Sequence, residues 1–264
     1  MSCKQARAAQ SKIQHFKREV SNMDETTIQI SGLSKSYAGK KVIDNISLTV
    51  SSGEVYGLLG ANGAGKSTTI ECILGTRKAD AGQIRILGLD PHKDRKPIFE
   101  QVGVQFQESN YPDKIRVKEL CEETACLYRQ PTEYEPLLSR FGLAERKNAF
   151  VTELSGGQKQ KLFIILALIA DPKVVFLDEL TTGLDTKARR NVWKSLLELK
   201  EQGLTIFLSS HFMDEVEMLC DRISILRDSR FVFTGTVQEA MEQSCCEKFE
   251  DAYLWFTGEE ADDE

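Results

Sequence analysis

Residues 60–67 read GANGAGKS and match the pattern GxxxxGK[ST]. Glycines let such a loop wrap its backbone N–H groups around phosphates, because a Cβ atom would disfavour the backbone angles required. An apolar strand pattern precedes the motif and a helical pattern follows it, so the positive end of that helix faces the same phosphates. The sequence therefore predicts a nucleotide site, whose expected binding residues are Gly60, Asn62, Gly63, Ala64, Gly65, Lys66, Ser67 and Thr68.

Two acids follow another apolar strand pattern, residues 174–177. Unpaired carboxylates at the end of a buried strand are costly, and a metal ion offsets that cost. We expect Asp178 to bind Mg²⁺ opposite the Ser67 hydroxyl, while Lys66 reaches the β- and γ-phosphates. Glu179, the second acid, is placed to accept a proton from an attacking water.

His211 leaves the end of a third apolar strand pattern, residues 205–208. The carboxyl ends of parallel strands meet at one edge of an open sheet, so Lys66, Asp178, Glu179 and His211 are expected to converge there. Taken alone, a single histidine is also consistent with a purely structural role.

A second anion-binding helix start is predicted at residues 154–161, LSGGQKQK, just before the most apolar helical pattern. Ser155 suits the N-cap position, and Gly156 and Gly157 expose the first N–H groups of the helix. A capped helix beside a flexible turn is the alternative interpretation. A small GTPase or a simple nucleotide kinase needs one phosphate-binding helix start, so the second argues against both classes.

The elements that must position these residues form an α/β pattern with a mainly parallel central sheet and an antiparallel β region near the N-terminus. Strands are predicted at residues 27–30, 42–50, 55–59, 83–87, 102–105, 174–177, 205–208 and 223–226. Residues 109–170 carry no strand pattern, and Pro112, Pro131 and Pro136 separate helical patterns at 117–128, 135–141 and 158–170. We interpret this stretch as a helical insertion in the α/β core.

Composition excludes several functional classes. The 264 residues include 34 Lys and Arg against 40 Asp and Glu, a net charge of −6 that argues against a nucleic-acid partner. The longest apolar run, residues 162–170, is shorter than the roughly 18–20 residues that span a bilayer. Seven cysteines form no CxxC pair, and the charged N-terminus is unlike a signal peptide. A reduced, cytosolic chain is expected.

Together these motifs resemble the ATP-binding subunits of ABC transporters. LSGGQ at 154–158 is that family's signature, and it lies between the phosphate loop and Leu177-Asp178-Glu179. Other family elements occur in order: Tyr37 as the aromatic on which adenine stacks, Gln107 as the loop glutamine, Gly183-Leu184-Asp185, and His211 as the switch histidine. The resemblance implies a P-loop NTPase core over residues 27–246, preceded by a polar arm at 1–26 and followed by a C-terminal helix and acidic tail at 247–264.

The resemblance also implies an ATPase that uses ATP and Mg²⁺ and works as a dimer, either of identical chains or with a paralogue. Two domains would pack head to tail, so that Ser155, Gly156, Gly157 and Gln158 of one cap the ATP of the other, with Asp185 near the interface. Gln107 would touch the Mg²⁺ ion or the attacking water, and would begin the insertion that contacts the membrane subunits. One departure is Leu180, where the family usually has proline.

The C-terminal stretch 249–258 is similar to the LEDxFLxLTG ending of bacterial ATPases that work with ABC-2 type permeases, although a generic amphipathic helix would explain it too. This likeness implies a bacterial exporter subunit held at the inner face of the membrane by a separate permease. A soluble ABC-type ATPase acting on ribosomes or DNA is the alternative. It is disfavoured because the chain has neither a second ATPase domain nor long heptad arms.

Overall fold

The computed structural model describes residues 26–105, 111–112, 114–181 and 183–258. Nine strands lie in this part of the chain: β1 (Thr26–Tyr37), β2 (Lys40–Ser51), β3 (Val55–Leu59), β4 (Ala81–Ile86), β5 (Val102–Gln105), β6 (Val174–Asp178), β7 (Thr205–Ser209), β8 (Arg222–Arg227) and β9 (Arg230–Gly235).

The described α-helices are α1 (Lys66–Ile73), α2 (Arg95–Phe99), α3 (Val117–Ala125), α4 (Tyr134–Arg140), α5 (Gly156–Leu168), α6 (Thr186–Glu201), α7 (Met213–Leu219), α8 (Val237–Ser244) and α9 (Phe249–Thr257). Short 3₁₀ turns at Ala144–Arg146 and Val151–Glu153 lie between α4 and α5.

The strands form two sheets. A three-stranded antiparallel sheet has the order β2-β1-β4, and a six-stranded sheet has the order β5-β6-β7-β3-β8-β9. In the larger sheet every pairing is parallel except that of β8 with β9. This arrangement confirms the predicted fold class, an α/β core with a mainly parallel sheet and an N-terminal antiparallel region.

The inner strands β3, β6 and β7 are buried on both faces, which explains why their sequences are mostly apolar. Tyr56 and Phe207 face the small sheet and α1, in one apolar cluster with Ile28 and Ile30. Val175 and Leu208 face the opposite side, in a second cluster with the helical insertion and α6. The nucleotide motifs lie at the carboxyl edge of a sheet that is therefore fixed from both sides.

The C-terminal helices cover the β8 side of the central sheet. The buried side chains Phe249, Ala252, Tyr253 and Phe256 of α9 share a third apolar cluster with Ile223 and Ile225 of β8. Arg227 of β8 also donates to the backbone carbonyl of Phe256 at 2.6 Å. A C-terminal helix was predicted, and its packing accounts for its apolar face.

The structure differs from the sequence predictions in several details. β9 was not predicted, because its hairpin turn is Asp228-Ser229, with φ of 49° and 69°, and lacks the Asn-Gly or Asp-Gly signal of such turns. α3 ends at Ala125 rather than 128, and α5 begins at Gly156 rather than 158. The boundaries at 26 and 246 stay predictions, and the arm and acidic tail lie outside the described residues apart from Thr26 and residues 247–258.

Candidate functional site

The phosphate loop joins β3 to α1, and at two of its positions only glycine fits without strain. Gly60 has φ of 152°, and a Cβ there would lie 2.5 Å from the Leu226 carbonyl oxygen. Gly65, with φ of 111°, leaves only 2.9 Å between such a Cβ and the Val42 carbonyl oxygen. Close approach and left-handed backbone angles thus both require glycine at these positions.

Lys66, the first residue of α1, is 6% exposed. Its ammonium donates to the carbonyl of Gly60 at 2.6 Å and to that of Ala61 at 3.2 Å. Burial lowers the pKa of Lys66 below its usual value, while the charges of Glu179 and Asp178 raise it. The cation therefore lies within the loop, with two carboxylates near enough to favour its charged form.

Asp178 lies opposite Ser67 across the carboxyl edge of the sheet. The Ser67 hydroxyl donates to Asp178 Oδ2 at 3.2 Å, and the Ser209 hydroxyl of β7 donates to Asp178 Oδ1. Asp178 is buried. A hydroxyl and a carboxylate are hard oxygen donors, the kind that Mg²⁺ prefers. No cluster of three or more His, Cys, Asp or Glu suited to a metal ion occurs in the described part, but Mg²⁺ needs only one or two protein ligands beside water and phosphate. The residues fit the ion.

Glu179 follows directly, with a left-handed backbone at φ of 50° that is uncommon for a residue other than glycine. Its N–H donates to both the carbonyl and the hydroxyl of Ser209, each at 3.2 Å. Glu179 and His211 line one cleft of about 470 Å³ together with Val42, Asn62, Gly63, Gly65, Lys66, Ser67 and Thr68. The structure thus brings Lys66, Glu179 and His211 together, with Asp178 joined to them through Ser67.

The second helix start is capped as its sequence predicts. Ser155 is the N-cap of α5: its hydroxyl accepts from the Gln158 N–H at 3.3 Å, and the Gln158 side-chain oxygen accepts from the Ser155 N–H at 3.0 Å. Ser155 and Gly156 are exposed. Among the described residues, those lining the phosphate cleft include none of residues 154–158. One chain thus carries a complete phosphate loop and a separate, outward-facing helix start.

Comparison with known proteins agrees with this geometry. The sequence family described as "ABC transporter" matches residues 43–182, more than half of the chain. The chain belongs to the ABC transporter family. It is similar to the "Nod factor export ATP-binding protein I" of Rhizobium johnstonii, 38% identical over 84% of this chain and 73% of that protein, and to its Rhizobium etli counterpart, 39% identical over 86% and 73%.

Solved structures show the same relationship. The "Structure of ATP binding subunit of ABC transporter" superimposes with a TM-score of 0.81 at 30% identity, covering 88% of this chain and all of that one. The protein is thus an ATP-binding, ATP-hydrolysing subunit of an ABC transporter, a kind of subunit that dimerises and works with a membrane permease. No helix in the described ranges is long and apolar enough to cross a membrane.

The family pattern predicts three further site residues in this ABC ATPase: Tyr37, Asp185 and Gln107. Tyr37 and Asp185 are not among the residues that line the phosphate cleft, and Gln107 is not described. Tyr37 ends β1, is 37% exposed, and has the Arg77 guanidinium 5.3 Å from its ring centroid; it does not line the described cleft. Asp185 caps α6 by accepting from the Ala188 N–H at 2.8 Å, which by itself accounts for an aspartate there. Gln107 lies outside the described residues.

Ser209 is the site residue that sequence reasoning missed. Its hydroxyl contacts both Asp178 and the Glu179 backbone, because β7 lies beside β6 in the sheet. The available signal was its position at the end of an apolar strand, immediately before Ser210 and His211. A serine there is a short hydrogen-bonding group that fixes the two neighbouring acids.

Proposed function

We propose that this ABC ATPase energises export through a separate membrane permease of ABC-2 type, by binding and hydrolysing ATP between two ATPase domains. The observation that carries this proposal is the separation of the two anion-binding helix starts. One lines the phosphate cleft of its own chain, and the other, at Ser155, is exposed and lies outside that cleft. A second domain placed head to tail would bring the two together.

Within one domain, the loop N–H groups of residues 60–68 bind the phosphates and Lys66 supplies a charge to the β- and γ-phosphates. Ser67 and Asp178 hold Mg²⁺, with Gln107 as a further contact to the ion or to the attacking water. When bound, Mg²⁺ neutralises phosphate charge. Tyr37 stacks on the adenine.

Glu179 takes the proton from the attacking water, since its carboxylate lines the same cleft as Lys66. His211 faces this cleft from the end of β7 and orients the γ-phosphate or the water. Ser209 supports both the metal ligand and the base by fixing Asp178 and the Glu179 backbone.

From the opposite domain, Ser155, Gly156, Gly157 and Gln158 cap the nucleotide, and Asp185 lies near the interface. Gly156 leaves open space where a Cβ would lie, so the helix start can be approached closely. The second domain is another copy of this chain or a paralogue.

The permease type and location rest on relatives and on the C-terminal helix. The relatives are bacterial and are named for export, and residues 249–258 resemble the ending of ATPases that serve ABC-2 type permeases. These likenesses support the proposal that the permease holds the subunit at the inner, cytoplasmic face of a bacterial membrane.

Analytical sedimentation tests the two-domain proposal. A hydrolysis-deficient Glu179→Gln chain should be mainly monomeric without nucleotide or with ADP, and dimeric with ATP and Mg²⁺. Adding Ser155→Arg, which fills the outward helix start, should keep ATP binding and abolish the dimer. Lys194→Ala, at an exposed position of α6, is the control and should dimerise normally. A Ser155→Arg chain that dimerises and hydrolyses ATP as the parent does would contradict head-to-tail capping.

A further inference from the structure

The carbonyl groups of Glu179 and Leu180 are bound by one side chain from another part of the chain. The Gln160 side-chain nitrogen donates to the Leu180 carbonyl oxygen at 2.8 Å and to the Glu179 carbonyl oxygen at 3.3 Å. Because both partners are acceptors, only the NH₂ end of the amide satisfies them, which fixes the orientation of the amide. Two successive carbonyls are thus held by a single group.

These hydrogen bonds hold the backbone at Glu179, which has an unfavourable conformation. Glu179 has φ of 50°, a left-handed conformation that an L side chain adopts only where its surroundings impose it. On one side, its N–H is held by Ser209 at the end of β7. On the other side, Gln160 holds its carbonyl. The direction of the Glu179 side chain follows from this two-sided fixation.

Leu180 makes the restraint from Gln160 more important in this chain. A proline there would fix its own φ near −65° and restrict the residue before it. Leucine does neither, so the turn after β6 is free of that covalent restraint. Leu180 is completely buried, and its carbonyl accepts the shorter of the two Gln160 bonds. The Gln160 amide is thus a restraint on this turn that the leucine itself does not supply.

Gln160 lies on α5, one helical turn after Gly156, the first residue of that helix. One turn is about 5.4 Å along the axis, so Gln160 and the outward-facing helix start move as one rigid unit. The same helix therefore begins at the outward-facing N-terminus that we propose caps the nucleotide of the other domain, and it carries the amide that fixes the turn containing Glu179.

We infer that Gln160 is a positioning residue for Glu179, and that it makes the orientation of this base depend on the placement of α5. The inference deepens the proposed function and rests on Glu179 being the base. Gln160 touches neither the reacting water nor the phosphates in this proposal. It acts through the backbone of the turn, and its loss should lower turnover without weakening ATP binding.

The test compares steady-state ATP hydrolysis, ATP binding and melting temperature of purified full-length variants. Gln160→Met keeps an unbranched side chain of similar size but removes both donors, and Gln160→Glu presents only acceptors to the two carbonyls. Both should lower kcat by about 10-fold or more, since small misplacements of a catalytic group cost up to about 10²-fold. KM and Kd for ATP should stay within about two-fold of the parent. Gln238→Met, which removes an amide hydrogen bond to Glu242 on exposed α8, is the matched control and should leave kcat unchanged.

A double-mutant cycle separates positioning from general damage. If Gln160 acts through Glu179, Gln160→Met should cause no further loss of kcat in a Glu179→Gln background. Full additivity, or a Gln160→Met chain with the kcat of the parent, would overturn the positioning role while leaving the proposed function standing if Glu179→Gln alone is inactive. A fully active Glu179→Gln chain would instead overturn the role of Glu179, and this inference with it.

Discussion

The Ser67 hydroxyl lies 3.2 Å from a carboxylate oxygen of Asp178 and donates to it, although 111 residues separate the two in the chain. The contact exists because β6 and β3 flank β7 in one parallel sheet, so that the residues after each strand reach the same edge. A hydroxyl and a carboxylate in this relation could supply oxygen ligands to the proposed Mg²⁺ ion.

Asp178→Asn should raise the Mg²⁺ concentration needed for half-maximal ATP hydrolysis. Asparagine keeps the shape of the side chain but removes the charge that attracts the ion. Disturbing the partners around a metal ligand commonly costs about 10–100-fold in affinity, and loss of a direct ligand should cost at least as much. Magnesium titrations of ATPase activity measure the shift. Asp171→Asn, an exposed aspartate near the start of β6, is the control, and equal magnesium curves for the two variants would contradict the assignment.

Lys66→Ala should weaken ATP binding and turnover together. The ammonium lies inside the phosphate loop, so we expect it to contact phosphate before as well as during the reaction. Hydrogen bonds to charged groups contribute about 1.5–3 kcal/mol, roughly 10- to 100-fold in affinity. Equilibrium binding of a fluorescent ATP analogue, with exposed Lys194→Ala as control, measures the loss. Unchanged affinity in the Lys66 variant would remove the lysine from the phosphate site.

Glu215→Gln should raise the stability of the protein at neutral and alkaline pH. Burial raises the pKa of the Glu215 carboxyl above its usual value, although Ser210, Thr181 and Trp193 oppose the shift by hydrogen bonding. A carboxyl whose pKa is raised on folding contributes stability that is fully present below its unfolded pKa and is lost as the pH rises through the folded pKa. Glutamine does not titrate, and its oxygen can still accept from the Trp193 N–H.

Melting curves at several pH values test the direction of this pH dependence. The Gln variant should melt above the parent at about pH 8, and the difference should shrink toward about pH 4. Glu217→Gln, an exposed substitution on the same helix, should show no such pH-dependent difference. A gap between Glu215→Gln and the parent that is constant with pH would show that folding does not raise the pKa of Glu215.

The sequence predicted the parts of the site that follow from strand order. β3 and β5 lie where their apolar patterns place them, and the rule that parallel strands end at one edge predicted that Lys66, Glu179 and His211 would share a cleft. Fully buried parallel strands and a glycine-rich loop leave strong local signals.

Contacts between residues that are far apart in the chain leave no such signal in the sequence. Gln160 reaches a turn that begins nineteen residues later, and Ser209 reaches acids on the neighbouring strand. Neither partnership follows from periodicity or spacing, because each depends on how α5 and β7 pack against β6. β1 was predicted to end at residue 30 but continues to Tyr37. Its alternation of apolar and polar residues breaks after residue 30, where the pairing with β2 shifts register opposite Ile46 and Ile43.

Phosphate release by Glu179→Gln tests the central claim most directly. Glutamine keeps the shape of the side chain and removes the proton acceptor, so turnover should fall by roughly 10²–10⁴-fold, the usual contribution of a positioned general base. ATP binding should survive, in contrast to Lys66→Ala, and Glu198→Gln, at a partly exposed position of α6, should behave as the parent does. The assay should include the permease where the isolated subunit is slow. A Glu179→Gln protein that binds ATP and releases phosphate within a few-fold of the parent rate would contradict the account and leave His211 or solvent as the proton acceptor.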